Sequence, residues 1–155
     1  MKVDYIIVGL GIAGICFSKQ LLDNNKSFIV VSDSQLGATQ SSGGVFNPIV
    51  LRRFTAPEYT VEYTEYALKM YQNMQQYTSD KWMYPKQKVH RVFASIEEQN
   101  NWFAASDKPH LKPFINPDLQ KNTNPYIEAN FGLGKVSKSF KIDAETFIRN
   151  LHEYF

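Results

Sequence analysis

Three glycines spaced as GxGxxG, Gly9, Gly11 and Gly14, constrain this chain more than any other feature it carries. Before them, Tyr5, Ile6, Ile7 and Val8 form an unbroken apolar run, the pattern of a parallel strand covered on both faces. After them, from Ile12 to about Asn24, Ile15, Phe17, Leu21 and Leu22 recur among polar residues, which suits a helix lying on a sheet. A second apolar run, Phe28 to Val31, completes a strand, turn, helix and strand. In such a unit the first glycine makes the tight turn, the second lets backbone approach a pyrophosphate, and the third lets helix and strand pack closely. The helix N-terminus directs unpaired N–H groups and its positive dipole end at the phosphates, so no lysine is needed there. The ligand that this arrangement suits is a dinucleotide. The competing account is a tight turn in an α/β protein without a ligand.

Asp33 lies just beyond the second strand, 19 residues after Gly14, where an acidic side chain accepts hydrogen bonds from an adenosine ribose. Ser32 occupies the adjacent position, so either residue fits that register. Residues 34 to 54 are rich in Ser, Gly, Thr and Asn and read as loop with a short helix. Loops of that length in a compact domain commonly serve a ligand. Gly43 and Gly44 allow close backbone approach to a flat group, with Ser41, Ser42 and Asn47 beside them as hydrogen-bonding groups. A solvated loop is the plain alternative.

These residues resemble the FAD-dependent oxidoreductases of the D-amino-acid oxidase and glycine oxidase type. The resemblance rests on VDYIIVGLGIAG at the start, on the acid near Asp33, and on the segment SSGGVFNP. NPIVLRRF is further similar to a subgroup in which an asparagine, a proline and paired arginines occur together. The resemblance implies FAD as cofactor, held at Gly9, Gly11, Ile12, Ala13, Gly14, Ser32 and Asp33. It also implies flavin contacts at Ser41, Ser42, Gly43, Gly44 and Asn47. It implies an α/β fold: a Rossmann-type FAD-binding βαβ unit with part of an inserted α+β substrate domain. The organisation expected is a FAD-binding segment with its flavin-contacting loop over 1–54, a helix and partial substrate-domain insertion over 55–142, and a returning helix over 143–155. Members of the family are about twice as long, so the sheet is expected to be incomplete and the chain truncated, the N-terminal fragment of a longer protein.

The implied activity is oxidation of the C–N bond of an amine or amino acid, with hydride passing to flavin; the fragment alone is expected to be inactive. The small-molecule substrate is the expected partner. No catalytic residue is assigned, because no nucleophile, base and orienter occur together, and in a flavoenzyme the cofactor carries the hard chemistry. Arg52 and Arg53 have the guanidinium forks of a carboxylate clamp. In the family that arginine comes from later in the chain, so these two read as structural or near the cofactor. Two other classes compete: a non-catalytic dinucleotide-binding remnant or module, and a NAD-dependent dehydrogenase. The second is disfavoured because the Ser/Gly loop suits flavin better than nicotinamide.

Composition narrows the remaining choices. Seventeen basic and 15 acidic residues leave a formal charge of only +2, without blocks of like charge, so no nucleic-acid or membrane-surface partner is expected. A single cysteine, Cys16, cannot form an internal disulfide and reads as small apolar packing in the first helix. His90, His110 and His152 share no metal-ligand spacing and read as structural or exposed. Asp4 and the glycines spoil a signal-peptide reading, and no apolar run is long enough to span a bilayer, which leaves a cytoplasmic location as the default.

Along the rest of the chain, Tyr59, Tyr63, Tyr66, Met70, Met74 and Tyr77 predict one packing stripe on a helix, with Pro57 in its first turn. Residues 83 to 95 suggest a strand, Ile96 to Ser106 a helix burying Trp102 and Phe103, and the four-proline stretch that follows a loop. Tyr126 to Val136 and Ser139 to Ile142 suggest a strand pair. Asp143 is a credible N-cap for a helix with Phe147, Ile148, Leu151 and Phe155 on its apolar side.

Overall fold

A computed structural model describes residues 2–33 and 37–155 as an α/β chain that divides into two compact units. One comprises Met1–Gly44, Lys69–Tyr84 and Ile142–Phe155, and the other Val45–Leu68 and Pro85–Lys141.

In the first unit, β1 (Tyr5–Val8) pairs in parallel with β2 (Phe28–Val31), Tyr5 opposite Phe28 and Val8 opposite Val31. Helix α1 (Ile12–Asp23) connects them, as the apolar periodicity predicts. Because side chains alternate along a strand, only one side of β1 can meet a single helix. Ile7, Ile15 and Leu21 are buried, whereas Ile6 is 67% and Val8 83% exposed. The expectation that β1 is covered on both faces is therefore corrected: its apolar run is buried on the Ile7 side alone.

The same unit contains the later part of α2 (Thr60–Gln75), β4 (Met83–Tyr84) and α4 (Ala144–Tyr154). Asp143 caps α4, its carboxylate accepting from the Thr146 N–H at 3.1 Å, so the sequence signal for this helix start holds. Trp82, Tyr71 and Phe147 form an edge-to-face aromatic cluster, with Trp82 and Phe147 centroids 4.8 Å apart.

In the second unit, β7 (Leu133–Val136) is the central strand of an antiparallel sheet between β5 (His90–Val92) and β6 (Ile115–Gln120). Helix α3 (Ile96–Ser106) carries Trp102 into the core beside Phe93, Phe114, Leu111 and Val136. The Trp102 indole N–H donates to the Asn116 carbonyl at 2.8 Å, which satisfies its one polar atom. Ser95 caps α3 by accepting from Glu98 N–H. Trp102 is buried as expected, while Phe103 packs only partly buried against this core. A separate short strand, β3 (Val45–Phe46), pairs antiparallel with β8 (Phe140–Ile142), placing Phe46 opposite Phe140 with their rings stacked at 4.5 Å.

Several local expectations are corrected here. The predicted strand over 83–95 is two short ones, β4 and β5. The four-proline stretch contains β6, where a register shift between Ile115 and Leu119 accommodates Pro117 on an edge strand. The predicted pairing of the last two strands does not occur. β7 pairs with β5 and β6, and β8 with β3, because Lys138 turns left-handed (φ +56°) and the Ser139 hydroxyl is engaged by Val89 N–H. Tyr63 and Tyr66 on α2 and Tyr59 and Tyr77 flanking it are exposed, and of the predicted stripe only Met74 is fully buried. Toward the start of that helix the buried positions are instead Thr60 and Thr64, one residue on from Tyr59 and Tyr63. Small side chains are buried there while Tyr63 and Tyr66 take the outer face, and Tyr71 of the same helix packs into the aromatic cluster with Trp82 and Phe147. Pro57 precedes the helix rather than opening it, its carbonyl accepting from the Thr60 hydroxyl at 2.6 Å.

Candidate functional site

The chain turns from β1 into α1 through Gly9, Leu10 and Gly11. The Gly9 N–H donates to the Val31 carbonyl at 2.8 Å, tying the end of β1 to the end of β2, and Gly9 then adopts φ +89°, which a side chain disfavours. Gly14, one turn into the helix, lies against this corner: a Cβ there would fall 2.1 Å from the Gly9 carbonyl oxygen and 3.5 Å from the Ile7 side chain. The two glycines therefore do what their spacing implies, one by conformation and the other by close packing.

Beside this turn is a cleft of about 190 Å³ within the first unit. Gly9, Leu10 and Gly11 form one wall, Ser32 and Asp33 at the end of β2 another, and Gly37, Thr39 and Gln40 a third. Ile148 and His152 of α4 close it. Helix α1 begins here with Gly11 as N-cap and no acidic residue in its first turn, so its positive end is not neutralised by a carboxylate of that turn. The Thr39 hydroxyl accepts from the Ile12 N–H at 3.1 Å and supplies the cap that glycine cannot.

Leu10 is held at both ends. Its N–H donates to the Ser32 hydroxyl at 3.3 Å, and its carbonyl is 2.7 Å from His152 Nε2. A carbonyl only accepts, so the imidazole carries its proton on Nε2. Ser32 is thus engaged with the turn, while Asp33 is exposed at the cleft.

The predicted site residues divide accordingly. Gly9, Gly11, Ser32 and Asp33 line the cleft, with Ile12, Ala13 and Gly14 in the first turn of α1. Ser41, Ser42, Gly43 and Gly44 are not among its lining residues. They form a turn in which the Ser42 hydroxyl donates to the Thr39 carbonyl at 2.7 Å and accepts from the Gly44 N–H. Gly44 has φ +61°, and a Cβ there would strike the Ile142 carbonyl at 1.9 Å, so its close approach is to backbone of its own unit. Asn47 belongs to the second unit, where its side-chain oxygen accepts from the Ile49 N–H. Arg52 and Arg53 are exposed in a turn of that unit.

Residues that sequence reasoning missed are Leu10, Gly37, Thr39, Gln40, Ile148 and above all His152. Thr39 and Gln40 sit within the segment marked as ligand-facing, so the loop composition was their signal. His152 is 142 positions from Leu10, and no local pattern could join them. Among the described residues no three of His, Cys, Asp and Glu gather as a metal site, and no helix is long and apolar enough to cross a membrane.

The chain shares its fold with part of several solved FAD-dependent oxidoreductases. The chain is similar to glycine oxidase from Bacillus cereus, with a TM-score of 0.68 at 15% identity over 98% of this chain and 43% of that one. L-amino acid deaminase from Proteus vulgaris matches with a TM-score of 0.69 at 18% identity, over 99% of this chain and 37% of that one. L-α-glycerophosphate oxidase from Mycoplasma pneumoniae, solved with FAD bound, matches at 0.57 and 20% identity, over 97% and 42%. The chain thus spans less than half the length of these solved structures. No protein-family model matches the sequence.

Proposed function

We propose that this chain is the FAD-binding part of an oxidoreductase that oxidises the C–N bond of an amine or amino acid. The observation that carries the reading is the cleft where the Gly9–Gly11 turn, the N-terminus of α1 and the Ser32–Asp33 corner meet. At about 190 Å³ it is smaller than the ~300–1,000 Å³ of whole ligand pockets, a size suited to the phosphate and ribose portion of a dinucleotide. Gly11 leaves the backbone open to a pyrophosphate, and, with the Ile12 N–H engaged by Thr39, the amides of Ala13 and Gly14 at the helix start supply the anion-binding end. With the Ser32 hydroxyl engaged on Leu10, the Asp33 carboxylate is the acceptor for the ribose hydroxyls. Ser41, Ser42, Gly43, Gly44 and Asn47 are assigned to the flavin side on the strength of the sequence resemblance. Bound FAD would accept the hydride; the work of these residues is to hold and orient it.

The test is titration of the purified chain with FAD and, separately, NAD, followed by flavin fluorescence and calorimetry. Saturable one-to-one FAD binding with weaker NAD binding is expected. NAD binding without FAD binding would move the assignment to a dehydrogenase, and binding of neither would remove the dinucleotide reading.

A non-catalytic dinucleotide-binding module is the second reading. It is favoured by the make-up of the cleft, whose one imidazole is engaged on Leu10 and whose remaining polar groups are hydroxyls, an amide and one carboxylate. It would be sustained if the longest native polypeptide binds FAD yet fails to reduce it with amino acids or amines.

A further inference from the structure

We infer that His152 is a positioning residue for the dinucleotide, acting through the peptide between Leu10 and Gly11. The inference rests on the dinucleotide reading of the cleft given above. His152 lies in the last turn of α4 and lines the cleft, and its Nε2–H donates to the Leu10 carbonyl at 2.7 Å. A peptide unit is planar, so fixing the Leu10 C=O also fixes the orientation of the Gly11 N–H, which points to the opposite side of that plane. Gly11 has neither a β-carbon nor a preferred φ of its own, and among the described residues the Leu10 N–H has only the 3.3 Å bond to Ser32. Of the two bonds that pin Leu10, the one from His152 is the shorter and involves the peptide that opens α1. Without it, the residues expected to face a pyrophosphate would sample other orientations, and ligand binding would have to order them.

The roles of Thr39 and His152 are distinct. Thr39 caps the helix by accepting from Ile12 and sits in the same segment as the turn at Ser41 and Ser42. His152 reaches the fingerprint turn from the far end of the chain, so docking of α4 and shaping of the cleft are coupled in one contact. A ring at position 152 that filled space alone would not produce this effect; a donor at the place of Nε2 is required.

The experiment compares the parent chain with His152→Ala and His152→Gln, the second retaining an N–H donor. Backbone amide exchange by NMR without nucleotide is expected to show the Leu10 amide exchanging about five- to tenfold faster in H152A, as for loss of a hydrogen bond worth about 1 kcal/mol. The β1 amides of Ile6 to Val8 should stay unchanged and H152Q should recover most of the protection. FAD titration should show a weakening of similar size in H152A and recovery in H152Q. Unchanged Leu10 exchange in H152A, or H152Q behaving like H152A, overturns the inference. So does faster exchange with FAD affinity equal to the parent's. If the parent itself binds no FAD, the proposed function falls and the inference with it, an outcome visible before any variant is made.

Discussion

Gly14 lies so close beneath the Gly9 carbonyl that a β-carbon at position 14 would stand 2.1 Å from its oxygen. That obstacle is backbone on both sides, and α1 and the end of β1 cannot separate without exposing the buried Ile7 and Ile15. Gly14→Ala is therefore expected to destabilise the first unit by about 1–3 kcal/mol, the usual cost of overpacking. Urea unfolding monitored by far-UV circular dichroism measures it, and a variant as stable as the parent would contradict the packing described.

Asp33 is exposed and its carboxylate makes no hydrogen bond or ion pair among the described residues, so its removal isolates its proposed part in binding. Asp33→Ala should weaken FAD affinity about tenfold, the scale of one hydrogen bond to a charged group, and leave the unfolding midpoint unchanged. Unaltered affinity would take the ribose contact away from this residue.

The second unit depends on Trp102, which is wholly buried between Phe54 and Phe93, with ring centroids 5.5 and 5.6 Å away. Trp102→Ala should cost about 3–5 kcal/mol and strand the Asn116 carbonyl. Near-UV circular dichroism together with denaturant unfolding would show whether tertiary packing is lost.

Glu98 links pH to stability. Burial pushes its carboxyl upward, but the Ala94 N–H bond and the Arg91 guanidinium outweigh that and hold it below the ordinary carboxylate range. A pKa lowered on folding adds stability above the unfolded value, and that stability disappears as pH falls through the folded one. The stability difference between parent and Glu98→Gln should thus be present at pH 7 and shrink as the solution is acidified below the unfolded carboxylate pKa. A pH-independent difference would show that the ion pair contributes nothing through charge.

Cys16 is half-buried in α1, and burial pushes its thiol up. At pH 8 it should react with a thiol-exchange reagent far more slowly than free cysteine, and urea should restore the rate. Rapid labelling of the folded chain would mean that this side of α1 is open.

Local chemistry made the first unit's βαβ segment legible. Tyr5–Val8, Ile12–Asp23 and Phe28–Val31 emerge as strand, helix and strand because apolar runs and glycine positions act over a few residues. The N-caps at Ser95 and Asp143 are equally local, each a side-chain oxygen reaching an N–H three residues on. The glycine turn and Asp33 follow from equally short spacings, and both line the cleft.

Tertiary structure decided what local chemistry leaves degenerate. The tyrosines of α2 and their neighbouring small residues are both compatible with a helix, and only the surrounding packing selects which side is buried. β6 could not be read from Ile115–Gln120 because its proline is tolerated only on an edge at a bulge, and edges exist only once β7 has chosen its partners. Leu10 and His152 meet for the same reason. The sequence by itself determined a strand, a glycine turn and a helix start, whereas the wall that completes the cleft comes from α4. Contacts between residues 142 apart are set by how whole elements pack, and no spacing in the chain encodes them.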